Sequence, residues 1–164
     1  MKVTIINTGG TFNKRYNPIK GQLEVPSDNI ALDKIVASCH NVDFEIINII
    51  SKDSLDMTDE DRQIICDAVK YSKNENIIII HGTDTVHLTS ALIKKQNIAK
   101  KIVFTGAMVP MSIDTVEATM NFSQALGFLS ANVENGTYTS MHGVVVDSSK
   151  LVKNREIGQF LIQN

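Results

Sequence analysis

The chain has 164 residues, 43% of them hydrophobic and 21% charged, with a formal net charge of −2; this suits one globular domain with a sizeable core and leaves little room for a second. Its basic residues form no long runs, Lys94-Lys95 and Lys100-Lys101 being doublets, which predicts no cationic stripe to track a nucleic acid backbone. The longest apolar runs, such as Ile77–Ile80, are far too short to cross a bilayer, and Met1–Ile6 leads into Thr8-Gly9-Gly10 without a leader pattern, which predicts a cytoplasmic protein with no membrane partner.

In chain order, an apolar strand at Lys2–Asn7 is followed by a long mixed stretch from Thr11 to Pro26 that reads as a loop, either a lid over a site or a mobile connection. Ser27 or Asp28 caps a helix running through Ser38, and a second strand follows at Phe44–Ile50. Thr58, with Asp59, Glu60 and Asp61 in the first turn, starts a helix whose Ile64, Ile65, Ala68 and Val69 recur at helical spacing. The isoleucines Ile77–Ile80 are too continuous for a strand with a wet face, which predicts burial on both sides. A helix from Thr85 to Lys95, a strand at Ile102–Thr105, a helix from Asp114 to Leu129 and a strand at Gly143–Asp147 complete the pattern. The alternation predicts an α/β fold: a single domain over residues 1–164, doubly wound, with a mostly parallel sheet and helices on both faces. Cys39 and Cys66 fall in helix-like segments without CxxC spacing and are expected as reduced thiols. The four histidines lack ligand spacing, so no metal site is predicted.

Five segments then leave the carboxyl ends of strands, where open α/β sheets bind their ligands: Thr8–Thr11, Ser51–Asp56, His81–Thr85, Thr105–Met108 and Ser148–Asn154. Gly9 and Gly10 permit a tight turn and a close approach of backbone to ligand, with N–H groups available to an oxyanion. Thr11 ends that turn as a candidate nucleophile, and it needs a neighbouring base because a threonine hydroxyl is weak at neutral pH. Thr83 and Asp84 set a hydroxyl beside a carboxylate directly after the isoleucine strand, and one of Thr83, Asp84 and Thr85 is expected to cap the next helix. His81, in phase with the core, reads as structural.

Thr8-Gly9-Gly10-Thr11 and His81-Gly82-Thr83-Asp84-Thr85 resemble the two signatures of the bacterial-type L-asparaginase family. Three further blocks stand in the family's order: Lys52-Asp53-Ser54-Leu55-Asp56-Met57, Thr105-Gly106-Ala107-Met108 and Lys150-Leu151-Val152-Lys153-Asn154. The resemblance covers essentially the whole chain and implies hydrolysis of L-asparagine to L-aspartate and ammonia through an acyl-enzyme on threonine, without a cofactor. On the matching positions it implies Thr11 as the acylated residue, ranked above Thr83, with Thr83, Asp84 and Lys153 as a proton-relaying cluster. It also implies that Ser54, with the backbone around Asp53, binds the substrate α-carboxylate, that Asp84 holds the α-ammonium, and that Gly10, Gly82 and Ala107 line the substrate. Tyr16 matches the tyrosine of the family's mobile N-terminal loop, which packs over the nucleophile. A homodimer or higher homo-oligomer is implied as well.

Long family members carry a second, C-terminal domain, whereas this sequence ends at Asn164 and resembles the short-chain, single-domain form. Leu55 stands where many members have a polar residue, Phe12 and Asn13 replace a small aliphatic pair, Asn76 replaces a glycine, and Glu117 replaces an aspartate. Two other functions fit the same residues: a non-catalytic sensor of asparagine or aspartate, and an amidase for another amide such as D-asparagine.

Overall fold

The computed structural model describes residues 1–163. The strands are β1 (Lys2–Gly9), β2 (Arg15–Asn17), β3 (Gln22–Glu24), β4 (Asp43–Lys52), β5 (Asn76–Ile80), β6 (Lys101–Thr105), β7 (Gly136–Met141), β8 (Val144–Asp147), β9 (Leu151–Asn154) and β10 (Gln159–Ile162). The α-helices are α1 (Ile30–Val36), α2 (Asp59–Tyr71), α3 (Val86–Lys95) and α4 (Thr115–Ser130). Six strands form one sheet in the order β4-β1-β5-β6-β7-β8, parallel except for β8. Two antiparallel hairpins, β2–β3 and β9–β10, lie outside it.

The isoleucine run of β5 shows why both faces of this sheet must be covered. Ile77 and Ile79 join a core with Ile65 and Val69 of α2 and Ile93 of α3, while Ile78 and Ile80 join Leu32 and Ile35 of α1 and Phe122 and Ala125 of α4. Successive side chains of a strand point to opposite faces, so four consecutive apolar residues feed two cores. The α/β fold with a mostly parallel sheet and helices on both faces is therefore observed. Helix α2 starts on a capping box in which Asp61 N donates to Thr58 Oγ1 and Thr58 N donates to Asp61 Oδ2. At the start of α4, Val116 N donates to Asp114 Oδ1. None of these helices is long and apolar enough to cross a membrane.

Four expectations need correction. The stretch Thr11–Pro26 is ordered: a 3₁₀ turn over Thr11–Asn13 leads into the β2–β3 hairpin, which is held to the domain by Arg15–Asp28 and Lys14–Asp53 ion pairs. Helix α1 is shorter than its cap residues suggest, running only over Ile30–Val36, while the Asp28 carboxylate takes both guanidinium nitrogens of Arg15 as well as Ile30 N. Cys39 accordingly lies beyond the helix, while Cys66 sits within α2. Strand β7 escapes the sequence reading because Thr137, Thr139 and Ser140, polar rather than apolar, fill three of its four buried positions, Met141 being the fourth.

The last correction concerns β8, which runs antiparallel to β7 across the two-residue connection His142-Gly143. Both residues have positive φ, 52° and 89°, the requirement of a tight hairpin turn whose twist matches its strands. Asp147 therefore lies at the amino edge of the parallel strands, opposite Tyr138, where Lys94 at the end of α3 binds it. The segment 148–154 does not leave the carboxyl edge; a 3₁₀ turn at Ser148–Lys150 and strand β9 carry the chain back to it.

Candidate active site

The carboxyl ends of β1, β4 and β5 bring three segments into direct backbone contact. A Cβ on Gly10 would stand 2.5 Å from Gly82 Cα, and one on Gly82 would stand 2.6 Å from both Cβ and Oγ of Ser54. Only glycine at 10 and 82 permits that stack, so the TGGT and HGTDT strings adjoin through their glycines. Gly10 is also at φ 71°, ψ −175°, a conformation that side chains other than hydrogen strain. Ser54 is fully buried between them. Its Oγ accepts Asp84 N at 3.2 Å, and its carbonyl accepts the Thr85 hydroxyl at 2.8 Å.

That last bond overturns the capping expectation. Helix α3 has no side-chain cap, because Thr85 donates to Ser54 and the side chains of Thr83 and Asp84 face Lys153. Lys153 Nζ donates to Thr83 Oγ1 at 2.9 Å and to Asp84 Oδ1 at 3.0 Å. Thr83 is 5% exposed; behind it, Phe160 of β10 and Met141 close a void of about 10 Å³.

Gly9 and Gly10 do not offer free N–H groups, contrary to the expectation from sequence. Gly10 N donates to Lys52 O at 2.9 Å and Gly9 N to Asn7 Oδ1 at 3.3 Å. Asn13 Nδ2 in turn donates to Asn7 Oδ1 and Gly9 O, each at 2.8 Å. The buried amides of Asn7 and Asn13 thus clamp both poles of the Gly9 peptide and fix the turn that ends in Thr11, which stands half-buried at the start of the 3₁₀ turn. The polar residue Asn13, a departure from the family pattern, has its explanation here.

Asp53 caps the 3₁₀ turn at Ser54–Asp56 by accepting Leu55 N and also accepts Lys14 Nζ. Burial alone pushes its carboxyl up, but the Lys14 hydrogen bond and the N–H groups of Leu55 and Ser54 outweigh it and hold the group below the usual carboxylate range. A cleft of about 610 Å³ opens beside it, lined by Lys14, Lys20, Glu24, Lys52, Asp53 and Leu55 among others. The neighbouring His81 is buried, with Nδ1 against Gly82 O and Nε2 against Thr89 Oγ1, both at 2.8 Å. Desolvation drives it down to about 4, so it is neutral at pH 7.

Two of the residues singled out by sequence stand apart from this cluster. Tyr16 lies on β2, 63% exposed, in register with Leu23 of β3. Ala107 follows β6 next to Gly106, but its side chain is packed in the core with Phe12 and Met111.

Three further residues have contacts at or near the site that the sequence reading does not assign. Lys14 has a partner that lies 39 positions on, which no local pattern reveals. Glu117 holds Met108 N and Val109 N at 2.8 and 3.0 Å and meets His142 Nε2 at 3.1 Å; its position on the helix face of Asn121 is the available clue. Arg155 Nη2 pairs with Asp84 Oδ1 at 3.2 Å, and its spacing of two from Lys153, one face of an extended segment, is the clue there.

The chain matches the family model described as Asparaginase, N-terminal, over residues 2–157. It is 29% identical over 140 residues to L-asparaginase 1 of Escherichia coli (strain K12), covering 79% of this chain and 40% of that protein. It is 31% identical over 129 residues to a glutamyl-tRNA(Gln) amidotransferase component of Pyrococcus furiosus, covering 73% of this chain and 28% of that one. The solved structure of the thermostable L-asparaginase from Thermococcus kodakarensis superposes with a TM-score of 0.85 at 25% identity, covering 99% of this chain and 51% of that chain. The chain thus spans about half, or less, of the relatives it matches.

Proposed function

Since the chain belongs to the asparaginase family, we propose that it is an amidohydrolase that converts L-asparagine to L-aspartate and ammonia through an acyl-enzyme on threonine, with residues 1–164 as the catalytic unit. The observation that carries this is the hydrogen-bonded set Thr83, Lys153 and Asp84 lying against the Gly10–Gly82–Ser54 stack. A binding protein has no use for a proton path, whereas a threonine nucleophile requires one.

In this mechanism Thr11 Oγ attacks the amide carbon, its proton passes to the leaving nitrogen, and ammonia departs. Water then attacks the acyl carbon, Thr83, Lys153 and Asp84 relay its proton to Thr11 Oγ, and the ester bond breaks to release the acid. With the N–H groups of Gly9 and Gly10 engaged, the oxyanion is assigned to the N–H groups of Thr11 and Thr83, at the ends of the two adjoining turns. Ser54 retains its hydroxyl proton while accepting Asp84 N and donates a hydrogen bond through it to the substrate carboxylate. Asp84 receives the α-ammonium, and Gly10, Gly82, Asp53 and the backbone of Ala107 line the substrate. The unpaired thiols Cys39 and Cys66 suit a reducing compartment, so the enzyme is assigned to the cytoplasm. Its acting form is a homodimer or higher homo-oligomer, which sedimentation would read.

Ammonia release from L-asparagine by the purified protein tests the assignment. Thr11→Ala is expected to abolish it and Lys153→Met to lower kcat by about 10²–10⁴-fold. Full activity in Thr11→Ala would refute the nucleophile; tight aspartate binding without ammonia from the wild-type protein would favour a sensor.

A further inference from the structure

The charged groups of the site are not balanced. Its two carboxylates, Asp53 and Asp84, are both already paired: Asp53 with Lys14, and Asp84 with Lys153 and with Arg155, the last two on the same oxygen. Glu117 is turned to the backbone of Met108 and Val109 and to His142. At Asp84 two cations therefore face one carboxylate, a local surplus of positive charge on a chain whose formal net charge is −2. The surplus resides in Arg155, whose side chain is 62% exposed, since Lys153 is held inward on Thr83.

Arg155 belongs to the turn between β9 and β10, at residues 155–158, where Asn154 Oδ1 accepts Glu156 N and Ile157 N. Its guanidinium reaches back onto Asp84 from the solvent side, where a substrate ammonium would have to arrive. Both cations sit on Oδ1, so the ammonium of a zwitterion arrives at Asp84 as a third cation beside Lys153 and Arg155, whereas an amide with a carboxylate and no α-ammonium meets net positive charge there.

Building on the amidohydrolase reading, we infer that Arg155 is a specificity-determining residue that biases the site toward anionic amides, those carrying a carboxylate without a free α-ammonium. Succinamate is the simplest of these, being asparagine without its amino group, and N-acyl-asparagine belongs to the same class. Lys153 keeps Asp84 in place for the proton path, and Arg155 sets which substrate charge is welcome there.

The test compares wild type, Arg155→Ala and Arg155→Lys on succinamate and L-asparagine by kcat/KM, and on the matching products, succinate and L-aspartate, by calorimetric Kd. Arg155→Ala is expected to shift the succinamate-to-asparagine ratio toward asparagine by about two- to fivefold, the range of one partly exposed ion pair. The change should lie in KM, with kcat held within twofold, and Arg155→Lys should restore most of the ratio. The succinate-to-aspartate affinity ratio is expected to move with it. Unchanged ratios in Arg155→Ala, or a loss confined to kcat, would overturn the inference, as would failure of the wild type to bind either product. Product binding that shifts with Arg155→Ala in a protein releasing no ammonia would sustain the charge preference and reject the amidohydrolase reading instead.

Discussion

Replacing Gly10 by alanine tests the contact on which the site rests. The new methyl would lie 2.5 Å from Gly82 Cα and 2.6 Å from Gly82 N, and no rotamer change moves a backbone out of the way. At φ 71°, ψ −175° a side chain also adds strain of about 1–3 kcal/mol, and the overpacking adds about 1–3 kcal/mol more. The sum, about 2–6 kcal/mol, is a large part of the ~5–15 kcal/mol that stabilises a typical domain. At ~2–4 °C per kcal/mol for a chain of this length, Tm should fall by about 5–20 °C. Gly21→Ala is the control: Gly21 has φ 67° but nothing within 4 Å of the added Cβ, so only strain of ~1–2 kcal/mol applies. Thermal and urea denaturation followed by circular dichroism would measure both. A Gly10→Ala protein that loses no more than Gly21→Ala would show that the two turns do not touch, and the assembled site would fail with them.

The buried His81 makes stability depend on pH in a defined direction. Its folded value of about 4 lies below the ordinary 6.5, so the unfolded chain binds the proton first. The stability present above pH 6.5 is therefore lost as pH falls toward 4, with a slope approaching ~1.4 kcal/mol per pH unit; His81→Gln should flatten that stretch in urea titrations between pH 6.5 and 4.5, and an unaltered slope would contradict the assignment. Asn121, fully buried, donates to Gly106 O and accepts His142 N, both at 3.0 Å. Asn121→Leu orphans both groups and should cost about 2–5 kcal/mol in denaturation experiments, with a loss below ~1 kcal/mol refuting the role given to the amide.

The parts legible from sequence share a physical signature. Apolar runs such as Ile77–Ile80 declare a strand because burial on two faces requires them, and Thr58 with Asp61 declares a helix start because the capping box is local. The site glycines are legible for the same reason: a close approach leaves no alternative residue. Strand β7 is not, since its buried hydroxyls are satisfied only by tertiary partners. Thr105 Oγ1 donates to Ser140 O, and Ser140 Oγ donates to Asn121 O, both at 3.0 Å. Tyr16 illustrates the converse: a motif match names a residue, but its place opposite Leu23 depends on a strand pairing that no local pattern announces.

Lys153 reaches the site by a route that the sequence pattern does not announce. A parallel β8 would deliver the following segment directly to the carboxyl edge; the His142-Gly143 turn reverses that strand, and β9 then reverses the chain again. The consequence is more than topological. An isolated two-stranded hairpin is marginal by itself, and β9–β10 is held by Phe160, which packs edge-on to His142 and behind Thr83, and by Lys153 on Thr83 and Asp84. The turns carrying Thr11, Ser54 and Thr83 follow strands of the sheet and are locked by backbone contact, whereas Arg155 rides on the exposed end of this hairpin. Substitutions at residues 155–158 should therefore change which amide is preferred without displacing the threonines, provided that they leave Lys153, on β9 of the same hairpin, on Thr83 and Asp84.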